Sequence, residues 1–169
     1  MSTEDNMPDT GEEDILQFIC FKLADEEYAI SVDFILEAIK VLPVTPLPQV
    51  PEFCLGVANF RGLILPVFDL RKKFLLDCAP FNRDTRILIA NIDNMAVGFI
   101  IDRIIDHVKL KSSQVDPAPR VKMNIPRGYI QGLGEIGART IIILNLKNVH
   151  DSIVAEISEH SLNQFNRGF

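Results

Sequence analysis

Tryptophan is absent from this chain, tyrosine occurs twice, and histidine and cysteine occur three times each. A nucleic-acid surface built on stacked aromatic side chains has little material here. His107, His150 and His160 stand far apart, and none lies at a metal-ligand spacing from another histidine or a cysteine. They are expected to be structural, with no metal or cofactor. Cys20, Cys54 and Cys78 are odd in number and form no CxxC pair, which fits reduced thiols. Cys20 and Cys54 sit in apolar runs and are expected to be buried as small hydrophobes. No run approaches the roughly 20 apolar residues of a membrane span. The N-terminus is acidic rather than basic and then apolar, so a soluble intracellular protein without membrane insertion is expected.

Catalytic signatures are missing as well. Gly132-Leu-Gly134 lacks the third glycine and the strand–helix setting of a phosphate loop. There is no Gly-x-Ser-x-Gly and no Gly-Lys-Ser/Thr. Asp102 and Asp106 are a loose carboxylate pair of a kind common on strands. These absences point away from an enzyme.

What is present is apolar material and unevenly placed charge. The 169 residues are 47% hydrophobic, enough for a substantial core in one domain or two small lobes. The formal charge is −6, and six of the 23 acidic residues lie within residues 1–14, which hold no basic residue. The remaining 17 acids balance the 17 bases, so the body is near neutral. Nucleic-acid binding, which needs a basic stripe, is disfavoured. Residues 1–13 read as a disordered acidic tail, 14–163 as the folded domain and 164–169 as a C-terminal tail.

Short strands account for most of the body. Ile15 to Leu23 and Glu27 to Ser31 form a hairpin turning at Asp25-Glu26, and Asp33 is expected to cap one helical turn over Phe34 to Leu36. Pro43, Pro46, Pro48 and Pro51 make a stiff extended connector. The organising stretch is Cys54 to Phe74: strands Leu55 to Phe60 and Leu63 to Phe68 meet at an Arg61-Gly62 corner. Pro66 there argues for an edge or a bulge. A short helix over 69–76 carries Arg71, Lys72 and Lys73, expected as a solvated face. Arg86 to Ile92 and Met95 to Ile101 turn at Asp93-Asn94. A strand from Asp102 to Leu110, a glycine-rich strand to Ile136 and a buried strand from Arg139 to Leu146 follow. Asp151 is expected to cap a terminal helix burying Ile153, Val154 and Ile157. Nine or ten short strands and one sizeable helix at the end predict an all-β barrel or sandwich.

The order of the parts carries a resemblance. Asp25-Glu-Glu-Tyr28, the proline connector, Gly56-Val-Ala-Asn-Phe-Arg-Gly62, Ile64-Leu-Pro-Val-Phe-Asp-Leu-Arg71, Ile101-Asp102, Tyr129-Ile-Gln-Gly-Leu-Gly134 and Ile143-Leu-Asn-Leu146 resemble the CheW family of bacterial chemotaxis coupling proteins. The likeness covers residues 15 to about 160. It implies a CheW-like fold of two small intertwined SH3/OB-like five-stranded β-barrel lobes with a C-terminal helix. It also implies a cytoplasmic, non-catalytic adaptor at receptor arrays on the inner membrane. Its partners would be chemoreceptor cytoplasmic tips, the regulatory domain of a CheA-type histidine kinase, and other CheW-like domains in rings. A related pathway for twitching, gliding or another output is the alternative. By the same resemblance Arg61 and Glu37 would pair at a receptor-facing groove lined by Ile35 and Gly56, with Gly56 either admitting a receptor helix or serving the local backbone geometry. Val44 and Thr45 fall at one kinase-facing edge, and Asp116, Arg120 and Val121 in the loop of a second ring contact. There the chain departs from relatives that place a basic residue and then an acid followed by Phe: the polarity is reversed and the aromatic is missing.

Overall fold

The computed structural model describes residues 14–117, 120 and 122–167. The acidic segment over 1–13 and Val121 lie outside them. Strands β1 (Ile15–Leu23) and β2 (Glu26–Ser31) form the first hairpin, and a 3-10 turn over Val32–Phe34 leads into β3 (Ile35–Lys40). After the proline connector come β4 (Cys54–Phe60), β5 (Leu63–Asp69) and the one-turn helix α1 (Leu70–Lys73). Then follow β6 (Arg86–Ile92), β7 (Met95–Ile101), β8 (Arg103–Lys111), β9 (Val115–Asp116), β10 (Ile130–Ile136) and β11 (Arg139–Leu144). Helix α2 (Leu146–Arg167) ends the described chain, running past the expected boundary at 163.

Two sheets result, ordered β8-β1-β2-β11-β10-β9 and β3-β6-β7-β5-β4. The first hairpin thus belongs to the sheet built from the second half of the chain, which is the strand exchange expected of intertwined lobes. The first sheet holds six strands rather than five because the two-residue β9 adds to its edge, against Leu133 and Gly134. The five-stranded sheet curls back on itself. Its two end strands are β3 and β4, yet the chain leaving β3 returns Thr45 to Val57 through reciprocal backbone bonds of 2.8 and 3.0 Å. That pairing also explains Pro66. Val57 faces Pro66 but spends its amide and carbonyl on Thr45, and the β5–β7 ladder begins only at Val67, so no partner asks Pro66 for a donor.

Both faces of several strands are buried, which is why their sequences read as continuous apolar runs rather than alternations. In β6, Ile87 and Ile89 point into the core of the five-stranded sheet, while Leu88, Ala90 and Ile92 point into a larger core. In β11, Ile141 and Ile143 enter the core of the six-stranded sheet, and Ile142 and Leu144 the larger one. The larger core draws on both sheets, on Leu70 and Phe74 around α1, and on Leu146, Val149 and Ile153 of α2. It is the apolar seam that joins the lobes.

Three local expectations need correction. The 3-10 turn is capped by Ser31, whose Oγ accepts from the Asp33 amide, and Ile35 is already strand. Helix α2 begins five residues before Asp151: Asn145 Oδ1 accepts the Asn148 amide at 3.0 Å, an N-cap placed directly after a strand. Asp151 instead pairs with Lys147 one turn earlier. Ile153 is buried and Ile157 half-buried as expected, but Val154 is 48% exposed. Finally, the basic cluster of α1 is not a solvated face. Arg71 and Lys73 are buried, held by the adjacent Asp69 and by Asp102 and Glu156, which the fold brings from far along the chain.

Candidate interaction surface

Arg61 occupies the corner between β4 and β5 with φ +53°, and Gly62 follows at φ +84°. Two successive left-handed residues match the two-residue hairpin turn whose twist suits the flanking strands. Asn59 Oδ1 accepts the Gly62 amide at 2.9 Å and braces the corner. From this position the Arg61 guanidinium makes two parallel bonds to the Glu37 carboxylate, at 3.0 and 3.1 Å. Its Cζ also lies 4.5 Å above the centre of the Phe60 ring. The pair is on the surface: the side chains are 71% and 37% exposed. Such a pair adds at most about 1 kcal/mol to stability, but a bidentate, ring-backed guanidinium is fixed in direction.

Exposed apolar residues lie near the pair in sequence: Leu36 precedes Glu37 in β3, and Leu63 and Ile64 open β5 after the corner. Sequence reasoning did not single these out. The signal was present in β3, where Leu36 and Ala38 alternate with Ile35 and Ile39, so that apolar residues fall on both faces and one face must meet solvent. Ile35 lies half-buried against the seam and opposite Ala90. Gly56 is buried at φ +135°, and a Cβ there would lie 2.0 Å from the Thr45 carbonyl oxygen. The close approach that Gly56 permits is made by the chain's own connector rather than left open for a helix from outside.

Gly56 therefore ties two expected sites together, since it fixes where Thr45 runs. Thr45 is exposed on the connector, whereas Val44 packs inward against the core of the five-stranded sheet. Asp116 is exposed in β9, opposite Leu133, and Arg120 is exposed in the loop beyond. The fold accordingly gathers Ile35, Glu37, Val44, Thr45, Gly56 and Arg61 on the five-stranded lobe. Asp116 and Arg120 stand at and beyond the far edge of the six-stranded sheet.

Behind these surfaces, buried charge fastens the lobes. Arg71 is 2% exposed and grips Asp69 through Nε at 3.1 Å and Nη2 at 2.9 Å. Its Nη1 donates to Asp102 at 2.9 Å and to the Ala79 carbonyl at 2.7 Å. Asp69 raises the basicity of this guanidinium above its usual value. Asp102, at the crossing from β7 to β8, also accepts the Ala24 amide at 2.7 Å, so the cluster links α1 to the first hairpin. Lys73 reaches Ser152 and Glu156 on α2, with its ammonium 4.8 Å from the Phe53 ring centre. On the six-stranded sheet, Arg139 bridges Glu27 and Asp106 and holds the Asp106 carboxyl below the usual range. Asp102 and Asp106 are thus engaged by different arginines and do not act as a carboxylate pair. Burial pushes the Cys20 thiol up to about 12, and Cys54 is also buried, as expected of structural thiols.

Comparison with known proteins is consistent over most of the chain. The CheW-like domain family model matches residues 17–154. The chain is 36% identical over 137 residues to the chemotaxis protein CheW of Helicobacter pylori, covering 81% of this chain and 82% of that protein. It is 32% identical over 136 residues to the chemotaxis protein CheW of Klebsiella aerogenes, covering 80% and 82%. Among solved structures, the scaffolding protein TtCheW from Thermoanaerobacter tengcongensis superposes with a TM-score of 0.74 at 30% identity. That match covers 79% of this chain and 91% of that one.

Proposed function

The chain belongs to the CheW-like domain family, and from that premise we propose that it is a non-catalytic adaptor coupling chemoreceptor cytoplasmic tips to a CheA-type histidine kinase. It acts in the cytoplasm, at receptor arrays on the inner membrane. The observation that carries the site assignment is the Arg61 corner. A non-glycine residue in the left-handed region costs about 1 kcal/mol, and glycine or asparagine would serve the turn better. The exposed bond to Glu37 offsets that cost at best, so the fold has no use for arginine at this place. A partner does. The fixed guanidinium, with exposed Leu36 on β3 and Leu63 and Ile64 on β5, suits an amphipathic receptor helix that lays apolar residues in a groove and polar ones against its rim. Ile35 supports the groove from behind, and Gly56 sets its floor through Thr45.

The kinase regulatory domain engages the connector at Thr45, with Val44 anchoring it from inside. Asp116, Arg120 and Val121 form the second contact, toward another CheW-like domain of a ring. The two contacts lie on different sheets, as an adaptor joining two neighbours requires. Reconstitution tests the reading: the chain, a receptor cytoplasmic fragment and a CheA-type kinase from the same cell are co-sedimented while kinase autophosphorylation is followed. The unsubstituted chain co-sediments and activates. Arg61→Ala keeps its circular dichroism spectrum and loses most receptor-dependent activation. A folded Arg61→Ala with full activation removes the corner from the receptor site, and failure of the unsubstituted chain to bind either partner overturns the adaptor role.

A further inference from the structure

The start of α2 lies against the β6–β7 turn, and ligand-bearing side chains meet there that the adaptor role does not use. A ring nitrogen of His150 and one carboxylate oxygen each from Asp93 and Asp151 lie within 4.8 Å of one another. We propose that Asp93, His150 and Asp151 form a binding site for a divalent cation of the zinc class, with Lys147 as its resident competitor.

Three features support this. First, the donor set is one imidazole and two carboxylates, which suits zinc, cobalt or nickel. Calcium and magnesium prefer all-oxygen shells, and copper(I) prefers thiolates. Donors about 2.1 Å from a tetrahedral ion stand roughly 3.4 Å apart, so the cluster must contract by up to about 1.4 Å. Asp93 and Asp151 are both exposed and free to swing that far. Second, His150 is 6% exposed and its Nδ1 is cut off from water with no hydrogen-bond partner, alone in this among buried side-chain atoms of the described residues. Leaving a buried polar atom unpaired is costly and points to a missing partner. Third, the place already attracts a cation. Lys147 Nζ sits 2.9 Å from Asp93 Oδ2 and 2.7 Å from Asp151 Oδ1, bridging both carboxylates. Lys147, His150 and Asp151 are spaced to share one helix face. Lys147 is itself partly exposed and can withdraw to solvent. With one ammonium for two carboxylates the cluster carries a net negative charge. A divalent ion replacing the ammonium would neutralise it, engage the imidazole, and bolt the start of α2 to the five-stranded sheet.

Titration calorimetry of the full chain with Zn2+ tests the proposal, with Co2+ absorption as a second readout of ligand type. One Zn2+ is expected to bind per chain. His150→Gln and Asp93→Asn should each weaken it by about tenfold or more. Asparagine tolerates the left-handed conformation of residue 93, so the second variant keeps the turn should the first fail to fold. Lys147→Met should bind several-fold more tightly, a change that no distant site would show. Three results each overturn the site: no one-to-one binding by the unsubstituted chain up to about 1 mM Zn2+, binding unchanged in Asp93→Asn, or weaker binding in Lys147→Met.

Discussion

Replacing Arg71 by methionine should unfold a large part of this protein's stability, although Arg71 lies only ten residues from an arginine whose loss should cost almost nothing. Methionine keeps much of the side-chain stem and the Arg71 amide, which Asp69 Oδ1 accepts at 3.0 Å to cap α1. What disappears is the guanidinium, with its two bonds to Asp69, one to Asp102 and one to the Ala79 carbonyl. The Asp69 side chain is 1% exposed, so its carboxylate would be left buried without a counter-ion. Breaking a buried pair from one side typically costs about 3–5 kcal/mol. Against a total stability of about 5–15 kcal/mol for a domain, that is a third or more. At this chain length the midpoint of thermal unfolding should fall by about 10 °C. Urea unfolding followed by far-ultraviolet circular dichroism reads the difference directly, and Arg61→Ala in the same series should lose under about 1 kcal/mol. Replacing both partners, Asp69→Leu with Arg71→Met, should recover part of the loss, since no lone charge is then stranded at position 69. A loss under about 1 kcal/mol for Arg71→Met alone would refute the view that this cluster carries structural weight.

Two further outcomes follow from the geometry. Gly56→Ala places a methyl group 2.0 Å from Thr45 O and 2.9 Å from Pro46 Cα, both backbone, at a φ that L-residues avoid. It should cost about 3 kcal/mol or more and displace the connector, so kinase binding should fall with stability; an unfolding midpoint equal to that of the unsubstituted chain would contradict the close approach. Arg139→Gln should reduce stability by less than about 1 kcal/mol at neutral pH, because the bridge is partly exposed. Asp106 has a folded pKa below its ordinary 3.8, so its contribution is fully present above that value and is lost as pH falls through the lower folded pKa. The stability gap between Arg139→Gln and the unsubstituted chain should therefore close in acid, and a gap that persists at pH values well below the folded pKa would show that packing, not charge, holds the bridge.

Turn chemistry and buried apolar runs were legible in the sequence, whereas long-range pairings and two helix caps were not. The Asp93-Asn94 turn, with φ of +53° and +65°, and the Arg61-Gly62 corner were visible because turn chemistry is written in adjacent residues. Strands buried on both faces were visible as apolar runs. The basic cluster Arg71-Lys72-Lys73 was misread because two of its three acidic partners are not local: besides Asp69 two residues earlier, Asp102 lies 31 residues beyond Arg71 and Glu156 lies 83 residues beyond Lys73. Isolated in sequence, three cations look like a wet face; only the seam brings the carboxylates to them. The start of α2 was missed for another reason. Its cap, Asn145, follows β11 at once, so no loop composition marks the boundary, and the first apolar position of the helix, Leu146, reads as the end of the strand pattern.

The contrast between Arg61 and Arg71 shows where function could be read from sequence in this fold. Both lie in one stretch, and both pair with a carboxylate through two bonds. Arg71 follows the strand end at Asp69, where the chain turns into the seam, and burial makes its partners indispensable to folding. Arg61 stands at a turn whose backbone disfavours it, where its pairing gives back little, so its presence needs a cause outside the fold. A charged side chain that the fold neither needs nor favours is the better guide to a partner. By that criterion the corner is where the proposed receptor contact is to be tested, and the buried cluster belongs to the scaffold that keeps the corner, the connector and the far sheet edge in fixed relation.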